Sequence, residues 1–243
     1  MENCFLQRSV PLHWTTFLSP RDKLPAEKGV PMDRGLFITI EGTDGSGKTT
    51  QIRNMMEHLT ASGCRVLLTR EPGGTRIGEN IRSIILDPAF TEMHSITELL
   101  LYSAARAQLV EQVIKPSVAD CQTVICDRYV DSFFAYQGYG RGLDMDMLAK
   151  ITSTAVDGTM PDITFFFDLD PEIGLKRRMK AAVGDRIENE VIDFHRRVYN
   201  GYKELAAKYP ERIKTIDASK PVEEVWKDVR RQLDMTLGFI RQV

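Results

Sequence analysis

The sequence lacks both a long apolar run and an excess of charge of either sign. A membrane-spanning helix needs about 18 or more consecutive apolar residues, and no segment of the 243 residues is that apolar. The formal net charge is −2, which gives no bulk attraction to nucleic acid or to an anionic membrane. No basic stripe with interleaved aromatic residues is present. The composition therefore predicts neither a membrane protein nor a nucleic-acid-binding protein.

Cysteine is also scarce. The four cysteines, Cys4, Cys64, Cys121 and Cys126, form no C-x-x-C pair and have no histidines at metal-ligand spacing beside them. This pattern predicts reduced thiols packed as small apolar groups in a cytoplasmic protein. A hydrophobic content of 42% is ordinary for a globular protein, and the length suits one large domain without disulfide bonds.

The first 34 residues lack the pattern of any folded element. They carry four prolines and scattered charge, with no sustained helical or strand period. They also lack the apolar segment of a signal peptide, and their acidic residues argue against a transit peptide. We expect residues 1–34 to be a poorly ordered N-terminal extension, followed by one domain over residues 35–243.

From residue 35 onward, short β-rich segments alternate with segments of helical period. Strands are predicted at 36–40, 65–69, 123–126, 163–167 and 213–216. Helices are predicted at 49–60, 77–86, 96–119, 171–180, 190–207 and from 222 onward. This alternation predicts an α/β fold, a five-stranded parallel sheet with helices on both faces. In such sheets, ligands bind beyond the carboxyl ends of the strands.

The clearest motif lies between the first predicted strand and the first predicted helix. Residues 42–49 match G-x-x-x-x-G-K-[ST], the phosphate-binding P-loop. Lys48 is predicted to reach the β- and γ-phosphates of ATP, and the Thr49 hydroxyl to bind Mg²⁺. The alternative is a glycine-rich turn with an accidental lysine, which the strand before and the helix after disfavour. The predicted ATP-binding residues are Gly42, Thr43, Asp44, Gly45, Ser46, Gly47, Lys48, Thr49 and Thr50. The fold is then a three-layer sandwich of the P-loop NTPase type.

Asp127 directly follows the third predicted strand. A carboxylate in that place can hold Mg²⁺, as in Walker-B sites, or it can serve as a helix cap or turn former. Beside a P-loop the metal role is favoured, so Thr49 and Asp127 are the predicted Mg²⁺ residues. A P-loop alone does not separate GTPases, motors, transporters and small-molecule kinases. The absence of an N-K-x-D sequence disfavours a GTPase.

Further motifs follow the P-loop in order. They are Thr69-Arg-Glu-Pro-Gly-Gly-Thr75, Asp127-Arg-Tyr129, Ala135-Tyr-Gln-Gly138, Asp185-Arg-Ile-Glu188 and Asp217-Ala-Ser219. Together they resemble the bacterial thymidylate kinase family, from about Leu36 to the C-terminal helix. The resemblance implies a homodimeric nucleoside monophosphate kinase that transfers a phosphate from ATP, with Mg²⁺, to dTMP in dTTP biosynthesis. It also places the last motif beside adenine.

The resemblance also implies how the acceptor dTMP is bound. Asp44 would accept a hydrogen bond from the 3′-hydroxyl, and Arg70 and Arg128 would lie near the acceptor phosphate. Pro72 matches a proline that is cis in the family. Tyr136 would crowd the 2′ position of the sugar.

Tyr102 and Arg106 stand four residues apart, on one face of the long predicted helix. From the residues alone, Tyr102 would be a core residue and Arg106 a solvated charge. The resemblance implies instead that Tyr102 stacks on thymine and that Arg106 hydrogen-bonds its O4. Gln137 would contribute to the same pocket.

Residues 177–187 are predicted to form a mobile lid. The P-loop carries no basic residue between Asp44 and Ser46, so the lid must supply positive charge around the transferred phosphate. Arg177, Lys180 and Arg186 are candidates, and the D-R-I-E match favours Arg186. Family lids of this type carry spaced arginines, which Met179, Ala181 and Ala182 interrupt here. The predicted catalytic residues are Lys48, Arg128, Arg186 and Asp44.

Two other functions stay open at this point. One is a kinase of the same architecture that acts on another monophosphate or on a deoxynucleoside. The other is a nucleotide-binding regulatory protein without turnover, which only the interrupted lid favours.

Overall fold

The computed structural model describes residues 34–179 and 185–238. The expected N-terminal extension lies almost wholly outside these residues, as do Lys180 and the middle of the predicted lid. Within the described ranges, no helix is long and apolar enough to cross a membrane.

Five parallel strands form one sheet in the order β2-β3-β1-β4-β5. They are β1 Phe37–Glu41, β2 Val66–Arg70, β3 Thr123–Asp127, β4 Ile163–Asp168 and β5 Ile213–Asp217. The three central strands are buried over nearly their whole length, because parallel strands covered on both faces carry continuous apolar runs. This confirms the predicted α/β fold and the P-loop NTPase-type sheet.

Helices cover both faces of the sheet. They are α1 Lys48–Ala61, α2 Arg76–Leu86, α3 Ser95–Leu109, α4 Lys115–Ala119, α5 Val130–Phe133, α6 Met145–Val156, α7 Pro171–Met179, α8 Ile192–Lys208 and α9 Val222–Thr236. Side chains alternate between the faces of β4: Phe165 and Phe167 pack with α1 and α9, whereas Phe166 packs with α3 and α8. The sheet is thus the middle layer of three.

The long predicted helix at 96–119 is not a single regular α-helix. A π-helical segment, Val110–Ile114, separates α3 from α4. Pro116 stands two residues after the end of this segment, and because it has no N–H it cannot bond the carbonyl oxygen of Gln112. The helix therefore continues through an irregular stretch just before the proline.

The sequence pattern did not predict the helices between β3 and β4. These are α5 with its π-helical continuation Phe134–Gly140, and α6. Asp144 caps α6 by accepting a hydrogen bond from the Met147 N–H at 2.7 Å. An N-cap aspartate before apolar residues at helical spacing is a signal for the start of a helix. The start of α6 could therefore have been predicted from the sequence.

Candidate active site

A cleft of about 450 Å³ opens at the carboxyl ends of β1, β2 and β3. Its walls come from the P-loop, the loop after β2, one face of α3 and the segment that follows β3. A second cavity of about 430 Å³ lies on the other side of Gly47, against residues 218–222. Arg177, at the end of α7, borders both cavities. The predicted P-loop therefore stands between two sites.

The P-loop is shaped by glycines in left-handed conformations. Gly45 has φ 76° and Gly47 has φ 90°, values that favour glycine. A Cβ on Gly45 would lie 2.1 Å from the carbonyl oxygen of Gly174, so α7 packs backbone to backbone on the loop. The Lys48 side chain folds back onto the P-loop, where its Nζ donates to the Gly42 and Thr43 carbonyl oxygens, each at 3.0 Å.

Asp44 and Arg128 meet at the centre of the cleft. The Arg128 guanidinium donates to Asp44 Oδ1 at 2.6 Å, and its Cζ lies 5.3 Å from the centre of the Tyr136 ring. Burial would raise the pKa of Asp44, but the positive charges of Arg128 and Lys48 outweigh it and lower that pKa to about 2. Asp44 is therefore an anion at neutral pH and can only accept hydrogen bonds.

Arg106 forms a buried ion pair with Glu71 at the far end of the cleft. Its Nη2 lies 2.7 Å from Glu71 Oε2, and the side chains are only 1% and 4% exposed. The Arg106 Nη1 atom is buried and has no hydrogen-bond partner among the described residues. An unpaired buried donor is costly, so this nitrogen is available to a ligand. The Glu71–Pro72 peptide bond that flanks the pair is cis.

The remaining predicted acceptor residues are spread around the same cleft. Arg70, Tyr102 and Gln137 all line it. Arg70 is half-exposed and pairs with Glu79 at 2.8 Å. Gln137 donates to Glu98 at 2.8 Å, while its own Oε1 is buried without a partner in the described ranges.

Arg186 is engaged away from the P-loop. Its Nε donates to the Ile85 carbonyl oxygen at 2.8 Å, and its guanidinium forms an ion pair with Glu98. Of the two candidate lid arginines, Arg177 and Arg186, Arg177 is the one that lines a cavity beside the P-loop. The catalytic role of Arg186 stays a prediction.

The geometry adds residues that the sequence did not single out. Glu71 holds Arg106, and its only sequence signal was its place in the T-R-E-P-G-G motif. Glu98 holds Gln137 and Arg186. Arg82, which donates to the Pro72 carbonyl oxygen at 2.9 Å, lines the cleft as well. Glu41 lies beneath the cleft rather than in its wall.

The oxygen atoms around Thr49 and Asp127 fit a Mg²⁺ ion. Asp127 Oδ1 is buried and lacks a hydrogen-bond partner among the described residues, and both residues line the cleft. No group of three or more acidic, histidine or cysteine side chains in those residues suggests a metal cage. That donor set suits Mg²⁺, which usually keeps water and phosphate oxygens as most of its ligands.

Burial and a neighbouring carboxylate change the acidity of Glu41. Burial and, to a smaller extent, the nearby Asp131 carboxylate together raise the pKa of the Glu41 side chain to about 7, against the opposing effects of Ser132, Arg128 and the Tyr129 N–H. The folded chain therefore holds this proton to a higher pH than the unfolded chain does. The contribution of Glu41 to the free energy of unfolding is therefore present at acidic pH and is lost as the pH rises through about 7.

We expect a Glu41→Gln variant to reveal this loss. Relative to that variant, the free energy of unfolding of the wild type should fall by up to about 3 kcal/mol between about pH 5 and about pH 8. Urea denaturation of both proteins at the two pH values measures the difference. A difference that stays constant, or that grows with pH, would contradict the raised pKa.

Comparisons with known proteins agree with these features. The family model for thymidylate kinase matches residues 40–229. A thymidylate kinase of Deinococcus radiodurans is 46% identical over 198 residues, which are 82% of this chain and 96% of that protein. One of Pelotomaculum thermopropionicum is 48% identical over 205 residues, 84% of this chain and 95% of that protein. The crystal structure of thymidylate kinase from Ehrlichia chaffeensis superposes with a TM-score of 0.68 at 34% identity, covering 82% of this chain and 98% of that one.

Proposed function

The chain belongs to the thymidylate kinase family and phosphorylates dTMP to dTDP with ATP, and we propose that the cleft between the P-loop and α3 is where the transfer occurs. This proposal rests on the close approach of three charged side chains at the centre of the cleft: Asp44, Lys48 and Arg128. The Lys48 Nζ lies 3.9 Å from Asp44 Oδ1, and Arg128 bonds the same carboxylate. One anion and two cations thus stand where a donor and an acceptor phosphate would meet.

ATP would bind across the P-loop. Backbone N–H groups of residues 42–49, at the start of α1, would hold its phosphates. The adenosine would extend into the second cavity, beside Ser219 and Lys220. Lys48 would exchange its two carbonyl partners for the β- and γ-phosphate oxygens.

The dTMP phosphate would lie against Arg128, with Arg70 nearby at the rim of the cleft. Asp44, an anion, would accept a hydrogen bond from the 3′-hydroxyl of the sugar. Tyr136 lies under the Arg128 guanidinium, where its ring would crowd a 2′-hydroxyl. These contacts would fix the acceptor oxygen in line with the γ-phosphate.

The thymine base would reach the far end of the cleft. The unpaired Arg106 Nη1 would donate to O4, and the unpaired Gln137 Oε1 would accept the N3–H. Tyr102, which lines the same end, would stack on the ring. A base that presents the opposite donor and acceptor pattern at these two atoms would leave the buried groups unpaired, which is the stronger way to reject a ligand.

Thr49 and Asp127 would hold a Mg²⁺ ion, which would neutralise charge on the ATP phosphates when bound. The chain's own contribution is positioning and positive charge. No general base is needed, because the acceptor oxygen of dTMP is already an anion. Lys48, Arg128 and a lid arginine, Arg177 or Arg186, would stabilise the charge that spreads over the transferred group.

An acceptor screen tests this function. ADP release from ATP with Mg²⁺ would be followed by a coupled assay with dTMP, dUMP, UMP, dCMP, AMP and thymidine. Turnover that strongly favours dTMP is the expected result. Preference for dCMP or AMP would overturn the assignments of Arg106 and Gln137, and preference for UMP would overturn that of Tyr136. ATP binding without turnover on any acceptor would favour a regulatory protein instead.

The protein would act as a homodimer in the cytoplasm. Three apolar side chains between 42% and 51% exposed lie on the two packed helices α2 and α3: Ile77, Ile84 and Leu100. A second copy is the occupant that would bury this patch, since the family resemblance implies pairing through helices. The same α3 carries Tyr102 and Arg106, so pairing would also stabilise the acceptor site. Cys64 and Cys126 are free thiols, as a reducing compartment allows.

Substitution of Leu100 by glutamate should disrupt the dimer, because it buries a charge in an apolar interface. Light scattering after size-exclusion chromatography would report a mass near one chain for the variant and near two for the wild type. Val191→Glu is the matched control, since Val191 is 68% exposed and lies outside the patch. An unchanged mass for the Leu100 variant would place the interface elsewhere.

A further inference from the structure

Glu41, the last residue of β1, carries a buried carboxylate beneath the turn that holds Arg128. Its Oε1 accepts the Tyr129 N–H at 2.8 Å. Its Oε2 accepts the Ser132 hydroxyl and the Tyr202 hydroxyl at 3.1 Å. The two hydroxyl oxygens are themselves 2.7 Å apart. Glu41, Ser132 and Tyr202, from β1, α5 and α8, therefore form one hydrogen-bonded cluster.

The cluster reaches Arg128 through its hydroxyl groups. Arg128 Nη1 donates to Tyr202 at 3.2 Å and to Ser132 at 3.3 Å, while Nη2 donates to Asp44. The hydroxyl groups beneath the cleft thus hold Nη1, while Nη2 faces the cleft. The guanidinium fork is rigid and planar, so fixing Nη1 also fixes the direction of Nη2.

The backbone of Arg128 needs the same support. Its φ of 68° lies in the left-handed region, which is unfavourable for a residue other than glycine unless its surroundings hold it there. The Arg128 N–H bonds the Ile40 carbonyl oxygen at 2.9 Å, and the next N–H bonds Glu41. The end of β1 therefore holds both the backbone and the side chain of this turn.

We propose that Glu41, Ser132 and Tyr202 are positioning residues that orient the Arg128 guanidinium toward the acceptor phosphate. This proposal rests on the role of Arg128 proposed above. The guanidinium already forms one ion pair, through Nη2 with Asp44, and a second one with Glu41 would compete further with the phosphate. The Ser132 and Tyr202 hydroxyls hold Nη1 in place without adding that second ion pair.

The test is a Tyr202→Phe variant, which removes one hydroxyl and keeps the ring that stacks on Phe166 at 5.2 Å. We expect kcat/KM for dTMP to fall about tenfold, as for one lost hydrogen bond to a charged group. The KM for ATP should stay within about twofold, because the hydrogen bonds of the Tyr202 hydroxyl among the described residues go to Arg128, Ser132 and Glu41 and not to the P-loop. Ser132→Ala should behave in the same way. Tyr139→Phe is the matched control, since that hydroxyl bonds Glu204 at the surface.

A double-mutant cycle with Arg128→Ala separates positioning from a general structural effect. In the Arg128→Ala background, Tyr202→Phe should change kcat/KM for dTMP by less than about twofold, because the residue it acts through is gone. A full tenfold effect in that background, or an equal loss in the ATP parameters, would overturn the proposal. Wild-type kcat/KM in Arg128→Ala alone would instead overturn the role of Arg128 itself.

Discussion

A Lys48→Ala variant is expected to lose at least about a hundredfold in kcat, the usual effect of removing one group that stabilises charge in the transition state. The folded structure explains why the loss should be specific to catalysis. The Lys48 ammonium is only 9% exposed, and burial lowers its pKa, so it contributes little to stability in the absence of phosphate. Its present partners, the carbonyl oxygens of Gly42 and Thr43, are groups that water can satisfy after the substitution.

The measurement is the coupled ADP-release assay at saturating ATP, Mg²⁺ and dTMP, with thermal unfolding as the check on the fold. Lys214→Ala is the matched control, because the Lys214 ammonium bonds only the exposed Pro210 carbonyl oxygen among the described residues. Near-normal turnover in the Lys48 variant would mean that the P-loop lysine does not reach the transferred phosphate.

An Arg106→Ala variant should raise the KM for dTMP by roughly 10- to 100-fold, the value of a lost hydrogen bond from a charged donor. It should also destabilise the protein by about 3–5 kcal/mol, because it leaves the buried Glu71 carboxylate without its partner. The KM for ATP should change little, since Arg106 lies at the end of the cleft that we propose for thymine. Steady-state kinetics with each substrate varied in turn, together with urea denaturation, give the three values.

A second variant separates the two effects of Arg106. The pair Glu71→Gln with Arg106→Gln removes both buried charges and leaves two amides that can bond each other. Its stability should recover most of the loss, whereas the raised KM for dTMP should remain. If restoring stability also restored the KM, Arg106 would be a structural residue and its proposed contact with O4 would be wrong.

The P-loop and the sheet could be predicted from the sequence because both depend on local signals. Each predicted strand ends within one residue of the observed strand, since buried parallel strands are short apolar runs that end at polar or glycine residues. Gly47, one of the two left-handed glycines that shape the loop, is also one of the two glycines that define the motif. Helix α6 was missed although Asp144 marks its start.

The cluster beneath Arg128 could not be predicted in this way. Glu41 and Tyr202 are 161 positions apart, and a tyrosine in an amphipathic helix is usually a core residue. The partner of Arg186 could not be predicted either. Its phosphate contact stays a prediction, and only the fold shows that Glu98, 88 positions away, pairs with its guanidinium. Contacts between distant elements follow from the packing of α3 and α8 against the sheet, which no local pattern records.

The most direct test of the proposed site is a crystal structure with dTMP and a non-hydrolysable ATP analogue bound together. Thymine O4 should lie within hydrogen-bond distance of Arg106 Nη1, the dTMP phosphate should contact Arg128, and the 3′-hydroxyl should bond Asp44. A dTMP molecule bound with its base toward the P-loop, or outside the cleft, would show that these residues do not form the acceptor site.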